Sequence, residues 1–360
     1  MKRYCAVVAY EGAGYCGWQS QTRGDSVQEQ IESALKQITG AKINIVAAGR
    51  TDAGVNARGQ IFHFDTEMEM PCRKWMGALN GHLPMDIRIR RIEDAGPHFH
   101  ARYCVRAKRY DYCIHLGEYD VFSRNYAYQC PYPIDAQKME EASRCLIGTH
   151  DFSSFSANSW QETPNQVRTI YSITFSRRDD FLTISYYGRG FLRYMVRMMT
   201  AALLEVGRGR MEPQDVRMML EARSKTIARR NAHPEGLTLV QVDTFEVCAA
   251  TDRLMVREYL PEDPLPFDWQ LADLERRARD KTLPRAYALS DRHSSTLFGW
   301  LILHGEPLQG ELAVREGTDP AQVQELLGQL RETFPQLQAS GLSAIPLSSA
   351  GNRLAEADFY

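Results

Sequence analysis

No stretch of the 360-residue sequence approaches the ~18 apolar residues of a membrane-spanning helix. Its eight cysteines form no Cys-x-x-Cys pair and no cluster with histidine, which argues against a zinc site and against a disulfide scaffold. The apolar stretch Tyr4–Tyr10 is too short for a signal peptide, and Glu11 follows it where a small-residue cleavage site would stand. We therefore expect a cytoplasmic protein that binds neither a membrane nor a metal.

A strong excess of one charge is also missing, since 43 basic and 45 acidic residues give a net charge of −2. The distribution is uneven: residues 251–360 contain 11 basic and 17 acidic residues, which leaves 32 basic and 28 acidic residues before them. In that first part, three basic clusters interleaved with aromatic residues lie at 88–112, 176–210 and 223–233. Cations suit phosphates and rings suit unstacked bases, so these clusters indicate an RNA-binding surface, with ordinary solvated faces as the alternative.

The stretch Gly49–Gln60 places one carboxylate, Asp52, between Arg50 and Arg58, among three glycines and few bulky side chains. Alternating apolar residues on either side of it indicate flanking strands. A short loop between two strands that holds a carboxylate beside an arginine is typical of a site that positions a charge. A solvated turn with a surface ion pair is the alternative.

Residues 12–17 match the pattern Gly-x-Gly-x-x-Gly directly after the strand predicted at Tyr4–Tyr10. In a dinucleotide-binding site a helix opens within such a run, so that its N-terminus meets the pyrophosphate. Here a loop intervenes, and the helix begins only near Ser26, an N-cap with Glu29 three residues later. The pattern therefore favours a flexible loop, and a nicotinamide-dependent oxidoreductase stays as the weaker alternative.

The predicted elements of the first part follow the order β-α-β-β-α-β, an α+β pattern of the ferredoxin-like kind with a half-exposed antiparallel sheet. The second part repeats this order in outline, and two such halves would leave a cleft between them. The predicted strands span 4–10, 43–47, 60–66, 87–92, 103–116, 167–175, 181–187 and 236–242, and the predicted helices span 27–39, 71–81, 135–147 and 191–206.

Two of these elements carry polar side chains of interest. The strongest predicted helix, 191–206, points Arg197 away from its apolar stripe. On the strand predicted at 103–116, Lys108, Tyr110 and Tyr112 share one face. The pattern alone favours a solvated arginine and an ordinary half-exposed strand face.

Residues 251–360 differ in character from the rest. Three prolines, at 261, 264 and 266, mark a linker, and an acidic α/β module without an identifiable catalytic constellation follows. Its predicted helices are 268–280 and one that starts at Asp319-Pro320, and its predicted strands are 298–303, 312–314 and 342–347.

A series of short motifs runs through the first 250 residues. They are Tyr10-Glu11-Gly12, Gly17-Trp18-Gln19-Ser20-Gln21, Ser26-Val27-Gln28, Gly49-Arg50-Thr51-Asp52-Ala53-Gly54-Val55, Gly59-Gln60, Leu79-Asn80, Leu83-Pro84-Met85-Asp86-Ile87, Phe99-His100-Ala101-Arg102, Lys108-Arg109-Tyr110-Asp111-Tyr112, Asp151-Phe152-Ser153, Val167-Arg168-Thr169-Ile170, Gly190-Phe191-Leu192, Met195-Val196-Arg197 and Pro234-Glu235-Gly236-Leu237. In content and order they resemble the tRNA pseudouridine synthases of the TruA type, over about residues 3–246. So many collinear matches are far more specific than any one of them.

The resemblance implies the pseudouridine-synthase fold, with halves at 1–102 and 103–250 flanking a central cleft and an extra acidic module at 251–360. It implies that uridine at positions 38 to 40 of the tRNA anticodon stem-loop is isomerised to pseudouridine without a cofactor or metal. It further implies a homodimer, with the tRNA lying across both subunits.

The resemblance also implies roles for single residues. Asp52 matches the family's catalytic aspartate, Arg197 the arginine that pairs with it, and Tyr110 the ring that stacks on the target base. The further substrate-binding candidates are Arg50, which would assist base extrusion, Leu237, which would line the pocket, and Arg58 and Lys108.

Two departures from the family pattern stand out. Asn56 replaces the usual histidine, which leaves the hydrogen bonding of the Asp52 loop open, and the module at 251–360 lies beyond the family's usual end. A catalytically silent tRNA-binding or folding module is an alternative function, although the set Asp52, Tyr110 and Arg197 speaks against it.

Overall fold

The computed structural model describes residues 1–21, 25–228, 230–245, 247–251, 254–258, 285–293, 297–304, 309–315, 318–335 and 342–347. The chain divides into two compact units, Met1–Thr244 and Phe245–Tyr360. The helix predicted at 268–280 lies outside the described residues. Among the helices of the described segments, none is both long enough and apolar enough to span a membrane.

The first unit begins with six elements that the sequence predicts, although one strand is shorter than predicted and another begins earlier. They are β1 (Lys2–Tyr10), α1 (Val27–Thr39), β2 (Val46–Ala47), β3 (Asn56–Thr66), α2 (Cys72–His82) and β4 (Ile87–Asp94). Helix α1 starts where it is predicted, because the Ser26 hydroxyl accepts a hydrogen bond from the Glu29 N–H and the Glu29 carboxylate reaches back to Ser26. It ends at Gly40, whose φ of 73° suits glycine.

The unit continues with six strands, one of them only two residues long, and three helices. These elements are β5 (Val105–His115), β6 (Tyr128–Gln129), α3 (Ala136–Ser143), β7 (Gly148–Asp151), β8 (Val167–Arg178), β9 (Phe181–Gly188), α4 (Met195–Gly207), α5 (Pro213–Glu221) and β10 (Leu237–Thr244). The sequence-based prediction missed α5, although Pro213 in its first turn and a capping box between Glu212 and Asp215 signal a helix start. The helix predicted at 135–147 is shorter than expected, because a 3₁₀ turn at Arg144–Leu146 replaces its end.

All strands of the first unit form one ten-stranded sheet in the order β4-β1-β3-β10-β5-β9-β8-β7, with β2 on β3 and β6 on β5. The two halves join through β3 and β10, which run parallel and pair Asn56 with Thr238 and Ala57 with Leu239. This confirms the predicted α+β class. The sheets predicted for the two halves are one continuous sheet with one hydrophobic core, because the start of β3 pairs with a strand about 180 residues away.

The start of α4 differs from the prediction. The helix begins at Met195, not at residue 191, because Tyr194 adopts a left-handed conformation with a φ of 63°. A tyrosine in this region is strained by about 1–3 kcal/mol, a kind of strain that concentrates at functional sites.

The second unit contains a six-stranded sheet and one described helix. Its elements are β11 (Val247–Ala250), β12 (Leu254–Glu258), β13 (Arg285–Asp291), β14 (Leu297–His304), β15 (Gln309–Arg315), α6 (Pro320–Thr333) and β16 (Leu342–Leu347). The strands lie in chain order, antiparallel except for the parallel pair β15 and β16. The strands and the helix predicted within these segments are confirmed, and α6 starts at Pro320 after the capping side chain of Asp319.

Candidate functional site

The Asp52 loop, residues 48–55, connects β2 to β3. Side chains of neighbouring strands hold it in place by donating hydrogen bonds to its backbone carbonyl groups. The Lys108 ammonium donates to the Ala48 carbonyl oxygen at 3.0 Å. The Gln60 amide donates to the Gly49 carbonyl oxygen at 2.8 Å. Both donors come from strands of the central sheet, so the residues that lead to Asp52 are fixed to the rigid part of the fold.

A second set of contacts fixes the loop at Thr51. The Tyr10 and Thr51 hydroxyl oxygens lie 2.7 Å apart in a buried hydrogen bond, and the Trp18 N–H donates to the Thr51 carbonyl oxygen at 3.1 Å. Residues on both sides of Arg50 are therefore anchored. Arg50 itself is exposed and has no hydrogen bond or ion pair to the part of the chain that the structure describes.

The glycines at 12 and 17 have a packing function. A β-carbon at Gly12 would overlap the Val55 carbonyl oxygen, and one at Gly17, which has a φ of 100°, would lie 2.6 Å from the Thr51 carbonyl oxygen. These glycines let residues 12–17 pack directly against the Asp52 loop. The loop is thus packed and not flexible as expected, and the oxidoreductase hypothesis loses the only observation that favoured it.

Asp52 and Arg197 meet although 145 residues separate them. The Arg197 guanidinium donates from Nη1 to Asp52 Oδ2 at 3.2 Å, and the two side chains are only 13% and 24% exposed, respectively. Arg197 Nε also donates to the Ala232 carbonyl oxygen at 2.8 Å, and the Ala232 N–H donates to the Arg197 carbonyl oxygen at 3.0 Å. Arg197 is therefore oriented by the segment before β10 as well as by α4, and it faces Asp52 and not solvent.

Two opposing effects act on the Asp52 carboxyl. Burial raises its pKa above the ordinary value, while the positive charges of Arg197 and Arg193 lower it, and burial prevails. Arg193 is an exposed residue that precedes the start of α4. A carboxylate with a raised pKa is more basic than an ordinary aspartate and still has a cation beside it that stabilises its ionised form.

Tyr110 completes the cluster. It is 8% exposed on β5, and its ring meets the ring of Phe191 edge to face, with centroids 5.3 Å apart at an interplanar angle of 88°. Burial raises the pKa of Tyr110, and the charges of Tyr10 and Asp52 add to this rise. Its register partner on β10, Leu239, pairs in turn with Ala57 of β3, two residues beyond the Asp52 loop. Leu237, at the start of β10, is buried and pairs with Tyr112 of β5.

The other two substrate-binding candidates differ in their surroundings. Burial lowers the pKa of the Lys108 ammonium to about 8, and its Nζ donates to the Ala48 carbonyl oxygen at the start of the Asp52 loop. Arg58 is exposed on β3 and follows Ala57, whose partner Leu239 on β10 pairs with Tyr110. Adjacent residues of a strand point to opposite faces, so Arg58 points to the sheet face opposite Tyr110. Any substrate contact of these two residues stays a prediction.

Phe191, Arg193 and Tyr194 contribute to the site without having been predicted as site residues. The guanidinium groups of Arg193 and Arg197 lie 5.1 Å and 5.4 Å from the centroid of the Tyr194 ring. The left-handed backbone of Tyr194 places this ring between the two arginines. The motif Gly190-Phe191-Leu192 is the one sequence signal that could have drawn attention to this segment.

Asn56 connects three segments around the Asp52 loop. Its side-chain oxygen accepts from the Gly12 N–H at 2.8 Å, and its amide donates to the carbonyl oxygens of Asn125 at 2.8 Å and Glu235 at 3.2 Å. The side chain is 3% exposed. Because its amide group both accepts and donates, Asn56 forms hydrogen bonds with all three of these backbone groups. This explains how the Asp52 loop is bonded with asparagine at this position.

Replacing Asn56 by alanine is expected to lower the free energy of unfolding by about 1–3 kcal/mol, because buried backbone groups lose their partners. Urea denaturation measures this change. The matched control is Asn44→Ala at an exposed position, which should change stability by less than about 0.5 kcal/mol. Equal stabilities for the two variants would show that the three hydrogen bonds of Asn56 contribute nothing net.

Within the described segments, no group of three or more His, Cys, Asp or Glu side chains could hold a metal ion.

Comparisons with known proteins identify a family and several relatives that this chain resembles. The family model described as tRNA pseudouridine synthase matches residues 6–104 and 142–244. The chain is 42% identical over 247 residues to tRNA pseudouridine synthase A of Exiguobacterium sp., covering 69% of this chain and all of that relative. It is 43% identical over 248 residues to the enzyme of the same name from Listeria innocua, and 41% over 243 residues to that from Geobacillus sp.. These matches cover 68% and 67% of this chain and 99% and 98% of the relatives.

Proposed function

The chain belongs to the tRNA pseudouridine synthase family, and we propose that its targets are uridines at positions 38 to 40 of the tRNA anticodon stem-loop. As a member of this family it is an isomerase. The N1–C1′ bond of uridine breaks, the uracil rotates, and a C5–C1′ bond forms. The proton on C5 is released and N1 regains one, so the atoms balance without an oxidant or a reductant.

The observation that carries the proposal is the partly buried ion pair of Asp52 and Arg197, which joins two distant parts of the chain. We propose that Asp52 is the catalytic carboxylate. It can attack C1′ or remove a proton from the sugar, and both routes require its ionised form. Arg197 supports this form with its charge and with the hydrogen bond from Nη1.

Around this pair, apolar and aromatic side chains suit an extruded uracil. The ring of Tyr110 is proposed to stack on the base, and its contact with Phe191 fixes the plane of that ring. Leu237 is proposed to line the pocket from the start of β10. Stacking on a fixed ring keeps the detached uracil close to C1′ while it turns.

Arg50 is proposed to assist the extrusion of the target nucleotide. Its side chain is exposed while Gly49 and Thr51 on either side are anchored, so it can enter the space that the base leaves or hold a phosphate. Lys108 and Arg58 remain proposed contacts outside the Asp52 cluster, and Lys108 has a further task in holding Ala48.

For the assembly, we propose a cytoplasmic homodimer with the tRNA lying across both subunits, supported by the resemblance of the motifs. We further propose that residues 1–102 and 103–250 are the two halves that build the site. The extension at 251–360 lies beyond the matched region and contributes none of the proposed site residues.

The function is tested with tRNA transcripts that carry tritium at C5 of uridine. We expect release of tritium to water without an added cofactor when uridine occupies any of positions 38 to 40, and no release when cytidine replaces all three. Release from the cytidine-substituted transcript would show that the proposed positions are wrong. Tight binding of the intact tRNA without any release would favour the catalytically silent module.

A further inference from the structure

An exposed tryptophan lies on a loop of the first unit that no motif above includes. The Trp160 loop, residues 157–165, runs between Ser156 and Gln166, which are both buried. Trp160 itself is 51% exposed. A single exposed ring says little alone, so its surroundings decide what it can bind.

A lysine fixes the loop and covers part of the tryptophan. The Lys225 ammonium donates to the Ser156 carbonyl oxygen at 3.2 Å and also to the side-chain oxygen of Gln166. It lies 5.3 Å from the centroid of the Trp160 ring, over its face. Lys225 thus joins both ends of the loop and places a positive charge beside a ring that still has half of its surface open.

The other side of the loop is attached to the start of α4. The Arg193 N–H donates to the side-chain oxygen of Asn158 at 2.8 Å, and the Ala157 N–H donates to the Arg193 carbonyl oxygen at 3.0 Å. Arg193 is the exposed cation whose charge lowers the pKa of Asp52. The Arg193 guanidinium lies against the same Tyr194 ring as that of Arg197, the partner of Asp52, so the Trp160 loop is linked through Arg193 to the Asp52–Arg197 pair.

Charge distinguishes RNA from a protein partner at this surface. The loop contains one acidic residue, Glu162, and its carboxylate accepts a hydrogen bond from the Ser159 N–H. Lys225 lies over the Trp160 ring, and Arg193 is a second cation whose backbone is bound to the same loop at Ala157 and Asn158. A ring on a loop held by two cations matches a nucleic acid strand, in which bases and phosphates alternate.

We propose that Trp160, together with Arg193 and Lys225, binds an unpaired nucleotide of the tRNA next to the target uridine, with the base stacked on the indole and phosphates near the two cations. This inference rests on the proposed function, because it places the RNA at Asp52. It adds a stacking site outside the pocket of Tyr110. Such a site would hold the loop strand of the RNA after the target base has turned out of it.

The test measures the affinity of the full chain for an unmodified tRNA transcript. Trp160→Ala should weaken binding by about five- to thirtyfold, because stacking of one base contributes on this scale. Trp160→Phe should restore most of the affinity, since phenylalanine can also stack. The matched control is Tyr119→Ala, another exposed aromatic residue, at 71%, which stands between the acidic residues Glu118 and Asp120; we expect a change within about twofold.

Two further measurements separate stacking from a structural role. The transcript should quench the tryptophan fluorescence of the wild type more than that of Trp160→Phe, and because both proteins keep the other four tryptophans, the difference reports on Trp160. A fully paired RNA duplex should bind equally well to the wild type and to Trp160→Ala. If Trp160→Ala keeps the tRNA affinity of the wild type, the inference is overturned, even if the variant is less stable. Trp160 would then serve only to cover Lys225.

The outcomes also distinguish this inference from the proposed function. If Trp160→Ala binds tRNA more weakly but the wild type releases no tritium, the stacking site is supported and the isomerase is contradicted. A wild type that releases tritium, with Trp160→Ala equal to it in affinity and in KM, would support the isomerase and contradict the stacking site.

Discussion

Asp52→Asn should abolish the release of tritium from C5 of uridine, with kcat lowered at least about a thousandfold. Asparagine has the same shape and can still accept the hydrogen bond from Arg197, but it can neither attack C1′ nor take up a proton. Affinity for tRNA should stay within about threefold, because most of it comes from phosphate contacts elsewhere. Single-turnover release and filter binding measure the two quantities.

The matched control for this variant is Asp65→Asn. Asp65 is also a paired carboxylate, with its Oδ2 2.7 Å from Nη2 of Arg3, and it lies on β3 away from the Asp52 cluster. We expect this variant to keep its rate of tritium release within about threefold, because the lost ion pair is partly exposed. Full activity of Asp52→Asn would show that the catalytic assignment is wrong.

Asp52→Asn should also change how the stability of the protein depends on pH. Burial raises the pKa of Asp52 in the folded chain, so the folded state binds this proton more tightly than the unfolded state does. The wild type therefore loses stability as pH rises from the ordinary pKa of an aspartate through the raised one. Asparagine has no such dependence, and the stability difference between Asp52→Asn and wild type should grow in favour of the variant over this window.

Helix α1 shows what local sequence signals can predict. Its start at Ser26, its stripe of apolar residues and its end before Gly40 all follow from contacts within a few residues, and the predicted bounds agree with the structure. The start of α4 could not be predicted in this way. The apolar periodicity continues through Leu192, while the left-handed backbone of Tyr194 depends on surroundings that only the folded chain provides.

The central sheet shows a second limit. The pattern places a strand on each side of the Asp52 loop, but it cannot show that β3 extends back to Asn56, because that extension pairs with β10. The glycines at 12 and 17 are a similar case. Their spacing imitates a dinucleotide-binding motif, and the reason for them is an adjacent loop that packs against their backbone.

The candidate site required a different kind of information. Periodicity shows that Arg197 points away from the apolar stripe, but the same periodicity cannot name a partner 145 residues away. The resemblance of the motifs supplied Asp52 as that partner. Arg193 and Trp160 match no motif, and they are connected to the site only through hydrogen bonds that the folded chain forms.

Arg197→Gln should lower kcat at neutral pH by at least about a hundredfold. The substitution removes the charge that favours the ionised Asp52, so the pKa of this carboxyl, already raised by burial, should rise further. Because the proposed chemistry needs the ionised form, activity should increase with pH, and the acidic limb of the profile of kcat/KM should move to higher pH by the same amount.

The pH profile separates an electrostatic role of Arg197 from a structural one. Glutamine also loses the hydrogen bond from Nε to Ala232, and a loss caused by misplacement of the segment before β10 would persist at every pH. An electrostatic loss should shrink as pH rises and Asp52 ionises. In Arg197→Lys, which keeps the positive charge, the acidic limb of the kcat/KM profile should lie near that of the wild type.

Arg193→Gln provides a graded comparison, since Arg193 is a weaker influence on the same carboxyl and should move the limb less than Arg197→Gln does. An acidic limb that stays in place in both glutamine variants would mean that neither arginine controls the ionisation of Asp52. The raised pKa would then be an effect of burial alone, and Arg197 would be left with the role of orienting the carboxylate. That result would still be compatible with the geometry of the pair, so the limb position, and not the size of the loss, is the decisive measurement.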